Sequence, residues 1–160
     1  MRIATLAFTL GLICSCAAVA GVVRPAPQIA FPPADGHART LKSFAGQPLI
    51  VLLADSPKRG DFRTQLKEME KSFDRLAIRK TVIAAAFKKQ DSGEIHSDIP
   101  VLTLPNGANV CEAFQLKGNF AVALIGPDGN LDYITNNILN INRILEVMQN
   151  SFEIQKATHR

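Results

Sequence analysis

Three short stretches of the chain are almost continuously apolar: 47–54 (QPLIVLLA), 81–87 (TVIAAAF) and 120–125 (FAVALI). Each is too short for a separate helix. Continuous rather than alternating hydrophobicity is what a strand buried on both faces needs, so each predicts a central strand. Between the first two, Phe62, Leu66, Met69, Phe73 and Leu76 fall on one helical stripe, with Lys67, Glu68, Glu70, Lys71, Asp74 and Arg75 elsewhere on the surface. The turn residues Ser56-Pro57-Lys58-Arg59-Gly60-Asp61 lead into that helix, and Asp61 is its expected N-cap. Strand, helix and strand in this order predict a parallel pair with a right-handed crossover.

After the second strand, residues 88–98 (KKQDSGEIHSD) are polar and include Gly93, which predicts a solvated loop. Ile99–Leu104, broken by Pro100, reads as an extended segment near the sheet, and Pro105-Asn106-Gly107 as a turn. Asn109 and Glu112 have the spacing of a capping box for a short helix whose apolar face is Val110, Ala113 and Phe114. Gly126–Asn130 predicts a tight turn that returns Leu131–Thr135 antiparallel to the third strand. The last helix carries Ile138, Ile141, Ile144, Leu145 and Met148 on one stripe, with Asn136 or Asn137 as its cap. Four prolines at 25, 27, 32 and 33 leave no periodicity at the front. Residues 21–34 are therefore expected to be an extended leader, 35–150 one domain, and 151–160 a fraying polar tail.

The first twenty residues have a different character. Met1-Arg2 gives a positive start, Ile3–Ile13 an uncharged and mostly apolar stretch, and Ala18-Val19-Ala20 a small-x-small site, the pattern of a secretory signal cleaved after Ala20. A secreted or periplasmic location is the expectation. Ile13-Cys14-Ser15-Cys16 offers an alternative, a lipid-attachment box in which an acylated Cys16 anchors the protein to a membrane. Retention of the uncharged run Ile3–Val23 as a span is the other route to a membrane, since about 20 apolar residues suffice.

Losing residues 1–20 removes Arg2, which takes 18 Lys and Arg down to 17 against 14 Asp and Glu, a formal +3. That excess is too small to argue for nucleic acid, and one Tyr with no Trp leaves no platform for stacking bases. His37, His96 and His159 show no ligand spacing, so neither a metal nor any other cofactor is expected. Of three cysteines, only Cys111 lies beyond residue 20, so no intramolecular disulfide is expected after cleavage. There is no phosphate loop, nucleophile elbow or dinucleotide fingerprint.

Order and spacing resemble the thioredoxin-like superfamily, and within it the peroxiredoxin and thiol-disulfide oxidoreductase branch. Asp35-Gly36, Thr40-Leu41 and Phe44-Ala45-Gly46-Gln47-Pro48 are similar to that branch's entry to its first core strand. Ile99-Pro100-Val101-Leu102, Asn106-Gly107, Ala113-Phe114, Phe120–Ile125 and Pro127-Asp128-Gly129-Asn130 resemble its second half. The likeness spans about residues 31–150. It implies an α/β fold in which a central mixed β-sheet, parallel core strands plus an antiparallel hairpin, is flanked by helices. Its signposts are structural glycines, prolines and apolar blocks, so they specify fold better than activity.

The departures bear on function. The resemblance implies a cysteine activated at the start of the first helix, yet the two positions of a Cys-x-x-Cys motif fall on Lys58 and Asp61, and a peroxidatic cysteine would fall near Phe62. Gly118-Asn119 stands where the family holds its proline. The reading that follows is an exported, non-catalytic binding or structural module whose loop Asp55, Ser56, Pro57, Lys58, Arg59, Gly60 and Asp61 replaces the active site. The expected partner is a protein or a small anionic ligand, with Lys58 and Arg59 at a helix N-terminus as the anion-favouring pair. The alternative is an antioxidant or thiol oxidoreductase using Cys111 alone. The bland readings are a solvated turn at 55–61 and a small buried hydrophobe at Cys111.

Overall fold

In the computed structural model, which describes residues 24–89 and 93–158, the three apolar stretches lie side by side. The elements run β1 (Arg24–Pro25), β2 (Ala30–Ala34), β3 (His37–Thr40), a 3-10 turn at Leu41–Phe44, β4 (Leu49–Ala54), α1 (Gly60–Glu70) and α2 (Phe73–Ala77). Then come β5 (Val82–Phe87), β6 (Leu102–Thr103), α3 (Gly107–Ala113), β7 (Phe120–Ile125), β8 (Asn130–Thr135) and α4 (Ile141–Thr158). One sheet has the order β1-β8-β7-β4-β5-β6, and β2 pairs with β3 in a separate hairpin. β4 is parallel to β5 and antiparallel to β7, so the sheet is mixed at its centre. The expected signal at 1–20, the expected cleavage site after Ala20 and the candidate lipidation site Cys16 lie outside the described residues.

Alternation along the strands divides the core in two. Ile50, Leu52 and Ala54 of β4, with Phe120, Val122 and Leu124 of β7, face α1, α2 and α4. Leu49, Val51 and Leu53, with Ala121, Ala123 and Ile125, face α3 and the N-terminal hairpin. All six residues of β4 are buried, which is why its sequence shows no polar alternation. Each large apolar side chain fully buried there contributes about 1.5–3 kcal/mol.

Several boundaries differ from the sequence expectation, each for a local reason. Arg24–Ala34 is not a leader outside the fold: β1 pairs with β8, and Ala26, Ile29 and Phe31 are buried in the second core cluster. The prolines permit this because the segment contributes side chains to the core while entering only edge and hairpin pairings. The stripe from Phe62 to Leu76 belongs to two helices, since Ser72 leaves the helical region at φ −139° before α2 begins. Leu76 is nevertheless fully buried, and Phe73 packs against the same core.

The caps also move. Arg59, not Asp61, is the N-cap of α1, and Asp61 lies in the first turn, where a carboxylate favours the positive end of the helix dipole. α3 starts at Gly107 rather than at an Asn109–Glu112 box, because Asn106 turns the chain in the left-handed region at φ +53°. Gly107 then presses on β5; a Cβ there would lie 2.6 Å from the Phe87 nitrogen. For α4 the capping side chain is Asn140, not Asn136 or Asn137: its Oδ1 accepts the Arg143 N–H at 2.9 Å. Ile138 is 42% exposed, and Leu139 takes the buried place instead. Helical backbone continues to Thr158, through the segment expected to fray.

Candidate functional site

The loop from Asp55 to Asp61 leaves the C-terminal end of β4 and turns directly into α1. Its base is tied on both sides. Asp55 N–H donates to the Asn119 carbonyl at 3.1 Å, and Lys89 N–H donates to the Asp55 carbonyl at 3.1 Å. Lys88 extends across the same end of the sheet, where its ammonium donates to the Gly118 carbonyl at 2.6 Å and lies 3.7 Å from Asp55 Oδ1. Gly118 adopts φ +98°, a conformation that a side chain would strain. Gly118-Asn119, where the resemblance leads to the expectation of a proline, is thus joined to the loop through Asp55 and Lys88.

Within the loop, Pro57 is buried while Lys58, Arg59 and Gly60 are exposed. Arg59 N–H closes a turn on the Ser56 carbonyl at 3.1 Å, and the Arg59 side chain reaches Asp61 at 3.5 Å. The two cations paired in the sequence reading therefore diverge. Lys58 instead lines a small cleft of about 130 Å³ together with Pro57, Phe62, Arg63, Glu94 and His96. The far wall is positioned by Glu70 at the other end of α1, whose Oε1 accepts from Ser97 Oγ at 3.0 Å and from the Asp98 N–H at 3.1 Å.

Arg63, Glu94 and His96 were not singled out as site residues by sequence. Arg63 lies one turn along the helix from Arg59. Glu94 and His96 come from a polar loop whose approach to α1 depends on that tertiary bond to Glu70, and no local pattern marks them. The cleft offers two cations, one carboxylate and one imidazole around an apolar floor of Pro57 and Phe62. That suits a small anion or one side chain of a partner; it is well short of the roughly 300–1,000 Å³ of a typical small-molecule pocket.

Cys111 lies on the other side of the sheet. It is 1% exposed in the cluster beneath α3, with its Sγ 3.7 Å from the Ala86 carbonyl, whereas Phe62 at the start of α1 belongs to the opposite cluster. Burial pushes the thiol up to about 11, against a partial opposing pull from Lys88. A thiol so placed keeps its proton at neutral pH and is a poor nucleophile. Cys111 is the one free cysteine among the described residues. Also among them, no three His, Cys, Asp or Glu side chains group to hold a metal ion, and no helix is long and apolar enough to cross a membrane.

Several solved structures resemble this fold. A thiol:disulfide interchange protein of the thioredoxin family from Chlorobium tepidum superposes with a TM-score of 0.55 at 19% identity, covering 79% of this chain and 96% of that chain. The reduced 2-Cys peroxiredoxin of Plasmodium vivax gives 0.62 at 14% identity, over 82% of this chain and 96% of that one. The fold is thioredoxin-like. The exposed lipoprotein thioredoxin of Streptococcus pneumoniae shares it as well, with a TM-score of 0.56 at 15% identity over 77% of this chain and 98% of that one. No protein-family model matches the chain, and no curated protein is significantly similar to it. On this thioredoxin-like fold, the first turn of α1 carries Gly60, Asp61 and Phe62 and no cysteine.

Proposed function

We propose that this protein is an exported thioredoxin-like module that binds a partner at the loop 55–61 and performs no dithiol chemistry. One observation carries the reading: the fold's activating position, the opening turn of α1, has no thiol, while Cys111 is buried across the sheet with its proton held to high pH. The scaffold around that turn is nevertheless fully formed. Its loop is held at Asp55 from both neighbouring strands' ends, and Lys58 and Arg63 present positive charge beside the helix N-terminus. A small anion or an acidic segment of a protein partner matches that charge.

Export rests on the Met1-Arg2 start, the apolar run and the Ala18-Val19-Ala20 site. It is in keeping with one similar structure being that of an exposed lipoprotein thioredoxin. Soluble release after Ala20 and anchoring through Cys16 differ by the lipid and by the residues from Cys16 to Ala20 that the anchored form keeps, so the intact mass of the exported protein separates them.

The function is tested by assaying the purified protein for disulfide reduction and for thiol-dependent peroxide consumption. The expected result is no turnover above that of the thiol donor alone. Sustained turnover that disappears in Cys111→Ser overturns the proposal in favour of a one-cysteine redox protein.

A further inference from the structure

We infer that the corner at the end of α2, residues 74–80, docks on an anionic lipid bilayer and in doing so turns the 55–61 loop away from the membrane. Ile78 is 80% exposed, nearly twice as exposed as Ile138 at 42%. Ala77, Arg79 and Lys80 beside it are exposed as well. A lone exposed isoleucine is ordinary; this one stands on a fixed turn among cations.

The turn is built rather than frayed. Leu76 is fully buried beneath it. Lys80 N–H donates to the Ala77 carbonyl at 2.8 Å and Thr81 N–H to the Leu76 carbonyl at 3.1 Å, the paired bonds of a helix-ending motif that favours glycine at its left-handed position. Lys80 occupies that position at φ +54°, so a charged side chain is held there against the backbone preference. Arg79 Nη1 donates to the Arg75 carbonyl at 2.9 Å, and Arg75 Nη1 to Asn142 Oδ1 at 2.9 Å. Docking a corner already fixed in this way orders little chain.

The charge of the corner is positive. Arg75 and Arg79 donate to neutral groups, which leaves their charge uncancelled, and neither they nor Lys80 form an ion pair among the described residues. Asp74 is the one carboxylate within 74–80, so three positive charges stand against one negative, an excess of two. Lys71 is not counted, because Glu68 holds it at 2.8 Å. Asp128 and Asp132 belong to the same end of the sheet, but β4 separates β5 from β7. That places them at least two strand spacings from β5, about 10 Å, beyond the Debye length of roughly 8 Å at physiological salt.

A convex apolar tip ringed by cations suits a surface that it can enter, and anionic headgroups over acyl chains supply both the charge and the apolar layer. In the lipid-anchored alternative, eight residue steps join Cys16 to Arg24, a reach of about 28 Å that keeps a bilayer near the domain. The sheet then sets the orientation. Val82, just after the corner, pairs with Leu49 at the start of β4, whereas the 55–61 loop leaves the other end of that strand, roughly 17 Å away. A membrane at the corner leaves the loop facing outward.

The chain has no Trp, so Ile78→Trp provides a single reporter. Residues 21–160, common to the soluble and the anchored form, are titrated with vesicles of equal parts phosphatidylglycerol and phosphatidylcholine, and with phosphatidylcholine alone. Emission from Ile78→Trp is expected to shift to the blue and saturate with the anionic vesicles only. Ile138→Trp, beyond the far end of β8, should show no shift. With the side chain of Ile78 intact, Arg79→Gln and Lys80→Gly should each weaken co-sedimentation with anionic vesicles about fivefold, and the pair about 25-fold. Lys80→Gly relieves the left-handed strain, so its loss of binding is not a loss of fold. The proposal is overturned by an Ile78→Trp spectrum that anionic vesicles leave unmoved, by an equal shift with phosphatidylcholine alone or from Ile138→Trp, or by charge variants that sediment like the wild type.

Discussion

At the scale of single residues, Cys111 has the clearest measurable signature. Its thiol ionises near 9.0 when exposed and at about 11 in the folded protein, because burial disfavours the thiolate. Below that window both states hold the proton and the thiol leaves stability independent of pH. As pH rises from about 9 to 11 the unfolded chain loses its proton first, so stability falls by at most roughly 2–3 kcal/mol. Denaturant unfolding of wild type and Cys111→Ala across that range should show a difference that changes with this slope; a parallel pair of curves contradicts the assignment. The number of cysteines beyond residue 20 is plain from the sequence. Which face of the sheet Cys111 enters depends on how α3 packs on β5, and that is set by the tight approach of Gly107 to Phe87, which no spacing rule reveals.

Gln65 gives a second residue-scale prediction. Its side chain is fully buried, donating from Nε2 to the Leu139 carbonyl at 2.9 Å and accepting the Leu139 N–H at Oε1 at 2.7 Å. Gln65→Leu keeps the volume and strands both backbone groups. The expected cost is about 2–4 kcal/mol, read as a lower denaturation midpoint with unchanged m-value, since each orphaned buried group costs about 1–3 kcal/mol. In the sequence Gln65 is one polar residue among many on an amphipathic helix. Its partner lies 74 residues away, beyond the reach of any periodicity argument.

At the scale of elements, continuous apolar runs were legible as strands because β4, β5 and β7 are covered on both faces. Helix limits were less so, because caps are chosen by backbone geometry among several competent side chains. Asn136, Asn137 and Asn140 are chemically equivalent candidates for α4. Asn136 is instead engaged with the Lys117 carbonyl at 2.6 Å, leaving Asn140 to meet Arg143. Asn140→Ala should therefore cost about 1 kcal/mol of stability, whereas the same change at Asn137 should cost little; equal losses in thermal melts contradict the assignment. Of the candidate loop, residues 55–59 lie between β4 and the first helix, while Gly60 and Asp61 form the helix's first turn. Its cleft was not, since one wall arrives from residues 93–99 through Glu70.

Across the whole molecule, the largest difference from the sequence reading is the N-terminal segment. Prolines concealed it by erasing periodicity, yet Phe31 is 3% exposed and packs at a tilt against Phe44, 4.4 Å centroid to centroid. Phe31→Ala should lose about 3–5 kcal/mol, the cost of emptying a core aromatic site. A change below 1 kcal/mol in chemical denaturation would mean that the segment is not integral to the domain.

β4 is zipped to β7 from Leu49–Ile125 to Ala54–Phe120, a pairing that spans some seventy residues of intervening chain. During synthesis the middle of the sheet stays open along one side until about residue 125 has left the ribosome. A nascent chain therefore carries a wholly apolar strand with one edge unpaired for about seventy residues of its elongation, a hazard for self-association. The same delay keeps the polypeptide threadable for longer, a property that the export proposed above would use.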